Sequence, residues 1–80
     1  MRLPRDISGD ELTRLLGRYG YRQTRQVGSH MRLTTQMNGE HHITIPQLRP
    51  LRTGTLNAIL RDVAEHHEIA RAVLLQELFG

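Results

Sequence analysis

The 80-residue chain reads as a small α+β domain, and three features of the sequence carry that reading. Leu12, Leu15, Leu16 and Tyr19 recur at helical spacing behind a serine suited to start a helix. Two runs of alternating apolar and polar residues flank Met37-Asn38-Gly39. A second helical stripe, Leu56, Ile59, Leu60 and Val63, follows a loop that contains Pro50. Side chains repeat every 3.6 residues on a helix and every 2 on a strand, so these patterns separate the two kinds of element. The expected layout is one domain over residues 1–80: helix, three-stranded antiparallel sheet, helix, and an extra short C-terminal helix.

Taken in order, Met1 to Ile7 form an extended lead-in in which Pro4 has no N–H to donate. Ser8 with Glu11 makes a capping box, and Gly20 is placed to end the helix in the left-handed conformation. The first helix is therefore expected over about Gly9 to Tyr19. Tyr21 to Val27 alternates imperfectly but is rich enough in β-formers for a first strand. Gly28-Ser29 breaks it. Met31, Leu33 and Thr35 then alternate with His30, Arg32 and Thr34, and Ile43 and Ile45 alternate with His42 and Thr44 up to Pro46.

The apolar faces decide how the last two strands pair. A two-residue Asn38-Gly39 loop sets Leu33 opposite Thr44, which mixes polar and apolar residues on each face. A three-residue loop, Met37-Asn38-Gly39, sets Leu33 opposite Ile43 and Met31 opposite Ile45, and puts Gly39 where a positive φ is wanted. The three-residue loop is the expected one. It gives the sheet a core face of Met31, Leu33, Ile43 and Ile45. The other face is polar and basic, with His30 opposite Pro46 and Arg32 opposite Thr44. Gln47 to Thr53 reads as a loop, and Thr53 or Thr55 can cap the next helix. The helical pattern falters at His66-His67, and Val73, Leu74, Leu78 and Phe79 suggest a further short helix. No Gly or Pro separates the two stripes, so one long helix fits the pattern as well.

Composition narrows the function. There is no cysteine, hence no disulfide framework and no thiolate metal site. No stretch is long and apolar enough to span a membrane, and the start lacks a signal-peptide core, which makes the cytoplasm the expected compartment. The net charge is +3, and every basic residue is arginine, whose planar fork of donors suits phosphate oxygens. Phosphate-loop and nucleophile-elbow signatures are absent, and no cofactor is expected.

His30 is the leading candidate for chemistry. It opens a strand behind two small residues that leave it accessible, and an imidazole can both take and give a proton near neutrality. Arg22, Arg25, Arg32, Arg49 and Arg52 bracket the sheet and the loop that follows it, and together they suit a polyanion. His41 and His42 are adjacent on a strand and point to opposite faces, so they cannot chelate as a pair. His66 and His67 have no metal-ligand spacing and read as a solvated helix end.

Several of these residues, in this order, resemble the HicA family of toxin ribonucleases. The likeness runs from about residue 7 to residue 64. It rests on the Ser8-x-x-Glu11-Leu12 helix start, Tyr19-Gly20-Tyr21, Gly28-Ser29-His30, Thr44-Ile45-Pro46 and Gly54-Thr55-Leu56-x-x-Ile59-Leu60. The resemblance implies a fold like the double-stranded-RNA-binding domain (dsRBD-like, α-β-β-β-α). It implies an endoribonuclease that cleaves mRNA without metal, as the toxin of a type II toxin–antitoxin system neutralised by a HicB-type antitoxin. Carried onto this sequence, His30 is the catalytic residue, Gly28 and Ser29 frame it, and Ser29, Arg32, Arg25, Arg49 and Arg52 form the substrate-binding set. The alternative on the same fold is a non-catalytic RNA-binding module. One position departs from the family pattern: where a second histidine often follows the proline, Pro46 is followed by Gln47.

Overall fold

The computed structural model describes residues 3–80, so the first two positions of the expected lead-in lie outside the described residues. Ser8 caps the first helix, α1 (Gly9–Leu15). Its hydroxyl accepts the Glu11 N–H at 3.0 Å, and the Glu11 carboxylate accepts the Ser8 N–H at 3.2 Å. The Ser8 N–H, and after it the Ser8 hydroxyl, hold the Glu11 carboxyl below its usual range. A 3₁₀ turn over Leu16–Tyr19 continues the helix, and Gly20 ends it at a φ of 81°. Strands β1 (Arg22–Val27), β2 (His30–Thr35) and β3 (His41–Pro46) follow, then helices α2 (Thr53–His66) and α3 (Arg71–Phe79). The α+β layout is the expected one, with the extra C-terminal helix present as a separate element.

The sheet is antiparallel in the order β1-β2-β3. The β2–β3 register is the one the apolar faces require: Leu33 opposite Ile43, Met31 opposite Ile45, His30 opposite Pro46. These four apolar residues are buried with Leu12, Leu16, Leu56, Leu60, Val63, Leu74 and Leu78 in one cluster between sheet and helices. The helices cover one face of the sheet only. Contact between α1 and the end of β3 is very close, since a Cβ on Gly9 would overlap the Pro46 carbonyl. The glycine is there because nothing larger lets the helix start that near the strand.

Three local expectations need correction. Neither Thr53 nor Thr55 caps α2; the N-cap is Arg52, without a side-chain bond, and Thr53 already lies inside the helix. In α3 the buried residues are Leu74, Leu75 and Leu78, whereas Val73 is 48% exposed. Finally, His66 and His67 are not a solvated end. The α2 helix stops in a Schellman arrangement, with Glu68 at a φ of 54° and the N–H groups of Glu68 and Ile69 on the carbonyls of Glu65 and Ala64. This closure separates α2 from α3 without Gly or Pro, and it turns both imidazoles onto the sheet.

Those imidazoles join a cluster at the end of β2 remote from His30. The buried Tyr21 hydroxyl lies 2.7 Å from His41 Nδ1 and 3.1 Å from His67 Nε2, and His41 Nε2 lies 3.1 Å from Asp62. One proton arrangement satisfies every bond. His67 Nε2–H donates to the phenol, the phenol donates to His41 Nδ1, and His41 Nε2–H donates to the Asp62 carboxylate. His66 stacks on His41 at 4.2 Å and donates to the carbonyls of Met37 and Gly39, while Asn38 returns a bond to the His66 carbonyl. The β2–β3 turn and the end of α2 thus cap each other.

Burial raises the Tyr21 phenol, with Asp62 adding to it, so the group stays neutral and serves the packing. Tyr21→Phe leaves a donor and an acceptor unpaired and is expected to cost about 1–3 kcal/mol in urea unfolding. Burial, then His66 and His41, holds His67 below the ordinary imidazole value. On acidification the unfolded chain therefore takes up its proton first, near pH 6.5. Stability from this group is complete above that pH and is expected to fall as pH drops through the lower folded value, as a pH series of melts will show.

Candidate functional site

The open face of the sheet is where the chemistry-bearing residues gather, and the local fold explains which of them do. Strand alternation alone would put Arg22, Thr24 and Gln26 on one side of β1, with Arg25 and Val27 on the other. A bulge at Thr24 changes this: Gln23 pairs with Leu33, but Arg25 pairs with Arg32 and Val27 with His30. The extra residue transfers the second half of the strand to the opposite face. Arg25 and Val27 thereby join His30 and Arg32.

The β1–β2 turn is two residues long, Gly28 and Ser29, with Gly28 at a φ of 58°. A Cβ there would meet no atom within 4 Å, so the backbone conformation alone selects glycine. The turn is braced from behind. The Ser29 carbonyl accepts the Gln47 N–H at 2.6 Å, and the Gln26 amide donates to the Gly28 carbonyl at 3.0 Å. Gln26 also donates to the Gln47 side-chain oxygen at 2.9 Å, and the Gln47 amide donates to Asp10 at 3.1 Å. These bonds tie the turn to the end of β3 and to the first turn of α1.

His30 lies in a shallow depression of about 240 Å³ that it lines together with Arg25, Val27, Arg32 and Thr44. His30, Arg25 and Arg32 are exposed, and Val27 is 62% exposed beside them. Among the described residues, no carboxylate lies within ion-pair distance of Arg25 or Arg32. Two like charges sit directly across a strand pair, an arrangement that opposes folding slightly. It places two planar forks of N–H donors beside an imidazole that can exchange a proton, over a floor free of acid. Such a surface can receive a phosphodiester.

Of the residues that sequence reasoning singled out, the structure gathers His30, Arg25 and Arg32 in this depression and puts Ser29 in the adjoining turn. Arg49 and Arg52 do not line it. Arg49 lies near the Glu11 carboxylate in the loop after β3, and Arg52 precedes α2. His41 and His42 point to opposite faces, as their adjacency requires: His41 meets Tyr21, and His42 meets Thr34 and Glu40 on the open side. Val27, Thr44 and the Gln26–Gln47–Asp10 brace were not anticipated. Val27 was within reach, because a two-residue turn makes it the partner of His30. The brace joins residues far apart in the chain and leaves no local signal. Among the described residues, no three His, Asp or Glu side chains converge to hold a metal ion.

Fold and site together define a small α+β protein with a histidine and two unpaired guanidiniums on the bare face of a three-stranded sheet. A family model described as the HicA toxin of bacterial toxin–antitoxin systems matches residues 9–64, more than half of the chain. The chain belongs to that family: it is a toxin of a toxin–antitoxin system, and a cognate antitoxin is its implied partner. No curated protein and no solved structure matches it. Among the described residues no helix is long and apolar enough to cross a membrane.

The cross-strand arginines give a direct check on the site. Arg25→Gln is expected to raise the urea midpoint slightly at low salt by relieving the repulsion with Arg32. The gain should disappear at high salt, where the two exposed charges are screened. A lower midpoint at low salt would mean that the pair is not repulsive.

Proposed function

We propose that the protein is an endoribonuclease that cleaves mRNA at His30 without a metal ion, and that a HicB-type antitoxin neutralises it. One observation carries this reading: an accessible histidine stands beside two arginines held side by side across a strand pair, with no carboxylate of the described residues within ion-pair distance of either. Retaining a repulsive pair makes physical sense where an anion is to be bound.

RNA supplies its own nucleophile. In the proposed step the His30 imidazole takes the proton of a ribose 2′-hydroxyl, and the 2′-oxygen bonds to the adjacent phosphorus. The bond to the 5′-oxygen of the next nucleotide breaks, and that oxygen gains a proton. The products are a 2′,3′-cyclic phosphate and a 5′-hydroxyl, with no other reactant consumed. Negative charge builds on the non-bridging oxygens as the phosphorane forms, and Arg25 and Arg32 stand where guanidinium donors can stabilise it. A general acid–base group contributes about 10²–10⁴-fold, in keeping with a modest nuclease. The need for a 2′-hydroxyl makes the substrate RNA and excludes DNA.

His30→Ala is expected to abolish RNA cleavage by the purified protein and growth inhibition in cells. The melting temperature should stay nearly the same, because the imidazole is exposed and, among the described residues, has no hydrogen-bond partner. Cleavage at the wild-type rate by this variant would overturn the assignment. Salt-dependent RNA binding by the wild-type protein with no cleavage products would instead establish a non-catalytic RNA-binding module.

A further inference from the structure

The open face holds a second depression, next to the one that contains His30. It has a volume of about 510 Å³ and is lined by Arg22, Thr24, Thr34, Gln36, Gly20 and Met37. The two depressions share the β1–β2 pair, with His30 and Arg25 toward one end and Arg22 opposite Thr34 toward the other. From His30 to Thr34 along β2 is roughly 13 Å at 3.3 Å per residue.

The polar groups there are organised in a way that leaves donors and acceptors for a ligand. Glu40 is the carboxylate nearest this end of the face, and it is already engaged. His42 Nε2 lies 2.8 Å from it, and His42, with lesser help from Gln36 and Arg32 nearby, holds its carboxyl below the usual range. His42 Nδ1 in turn faces the Thr34 hydroxyl at 2.8 Å, and that hydroxyl faces the Thr24 hydroxyl at 2.9 Å. With Nε2–H given to Glu40, Nδ1 accepts from Thr34 and Thr34 accepts from Thr24, whose hydroxyl proton also faces the Arg32 carbonyl at 3.4 Å; among the described residues the Thr24 oxygen then accepts no bond. Among the described residues Arg22 has no ion-pair partner. The depression therefore offers a free guanidinium beside a hydroxyl acceptor. No Phe, Tyr or Trp side chain lines either depression.

We propose that the Arg22–Thr24–Thr34 depression is a second subsite for the RNA backbone. In it Arg22 holds a phosphate, and Thr24 accepts a hydrogen bond from a ribose 2′-hydroxyl. The inference rests on reading the His30 depression as the RNA site.

The test uses full-length His30→Ala protein, which holds RNA without cutting it, and measures binding of an RNA dinucleotide, an RNA hexamer and the DNA hexamer of the same sequence. The RNA hexamer is expected to bind at least about tenfold more tightly than the dinucleotide. Adding Arg22→Gln should collapse that ratio and lower the salt slope for the hexamer by about 0.7, the loss of one phosphate contact on a single strand. Adding Arg61→Gln on α2 instead should leave both unchanged. An unaltered ratio and slope with Arg22→Gln would overturn the subsite and leave the His30 reading standing. Equal affinity for RNA and DNA hexamers would remove the ribose contact. Failure of every RNA to bind would overturn the subsite and the His30 reading together.

Discussion

Pairing of β2 with β3 in a single register is the constraint on which the rest of this molecule depends. With Leu33 opposite Ile43 and Met31 opposite Ile45, all the apolar residues of the two strands face the helices. A slip of β3 by one residue would turn Ile43 and Ile45 to solvent and bury His42 and Thr44 instead. The register that builds the core therefore also clears the other face for chemistry. Both ends of the pairing are secured by groups outside the ladder. At one end the Gln47 N–H binds the Ser29 carbonyl; at the other, His66 binds the carbonyls of the Met37–Gly39 turn.

The distribution of polar groups separates what supports the fold from what is available to a ligand. Three of the five histidines and both tyrosines crowd together at the end of β2 remote from His30, where each imidazole has a protein partner. His42 is engaged by Thr34 and Glu40. His30 is the histidine that has none of these ties. Among the described residues Arg18 donates to the Glu77 carbonyl and Arg71 to Asn57, whereas Arg22, Arg25 and Arg32 have no ion-pair partner. The same is true of Arg5, Arg14, Arg49, Arg52 and Arg61, so what sets the three apart is their gathering on one bare face.

Much of this was legible in the sequence, because it follows from short-range rules. The capping box at Ser8, the turn around Gly39, the strand alternation and the stripe on α2 each specify a local state, and the faces they create can be matched by hand. What escaped the sequence is non-local. The bulge at Thr24 has no signature in Arg-Gln-Thr-Arg-Gln-Val, yet it decides that Arg25 stands beside Arg32. The end of α2 at Glu68 uses a left-handed residue that is neither Gly nor Asn, so the usual marker is missing. The polar pair His66-His67 passes for a solvated terminus until the strands behind it are in place. Arg49 and Arg52 follow closely on Pro46, the cross-strand partner of His30, yet the loop that seals α1 takes them elsewhere.

The brace behind the Gly28-Ser29 turn bears on when the protein becomes competent during its synthesis. Ser29 finds its partner in Gln47, and the Gly9 N–H finds its own in the Leu48 carbonyl. A chain emerging from the ribosome has already released His30 and both neighbouring arginines before either partner has left the tunnel. The histidine thus leaves the tunnel on an unanchored hairpin, and its surroundings close only after residue 48 has followed. The buried faces of α2 and α3 arrive later still. For a toxin, this order of assembly holds back the finished site until nearly the whole chain is free.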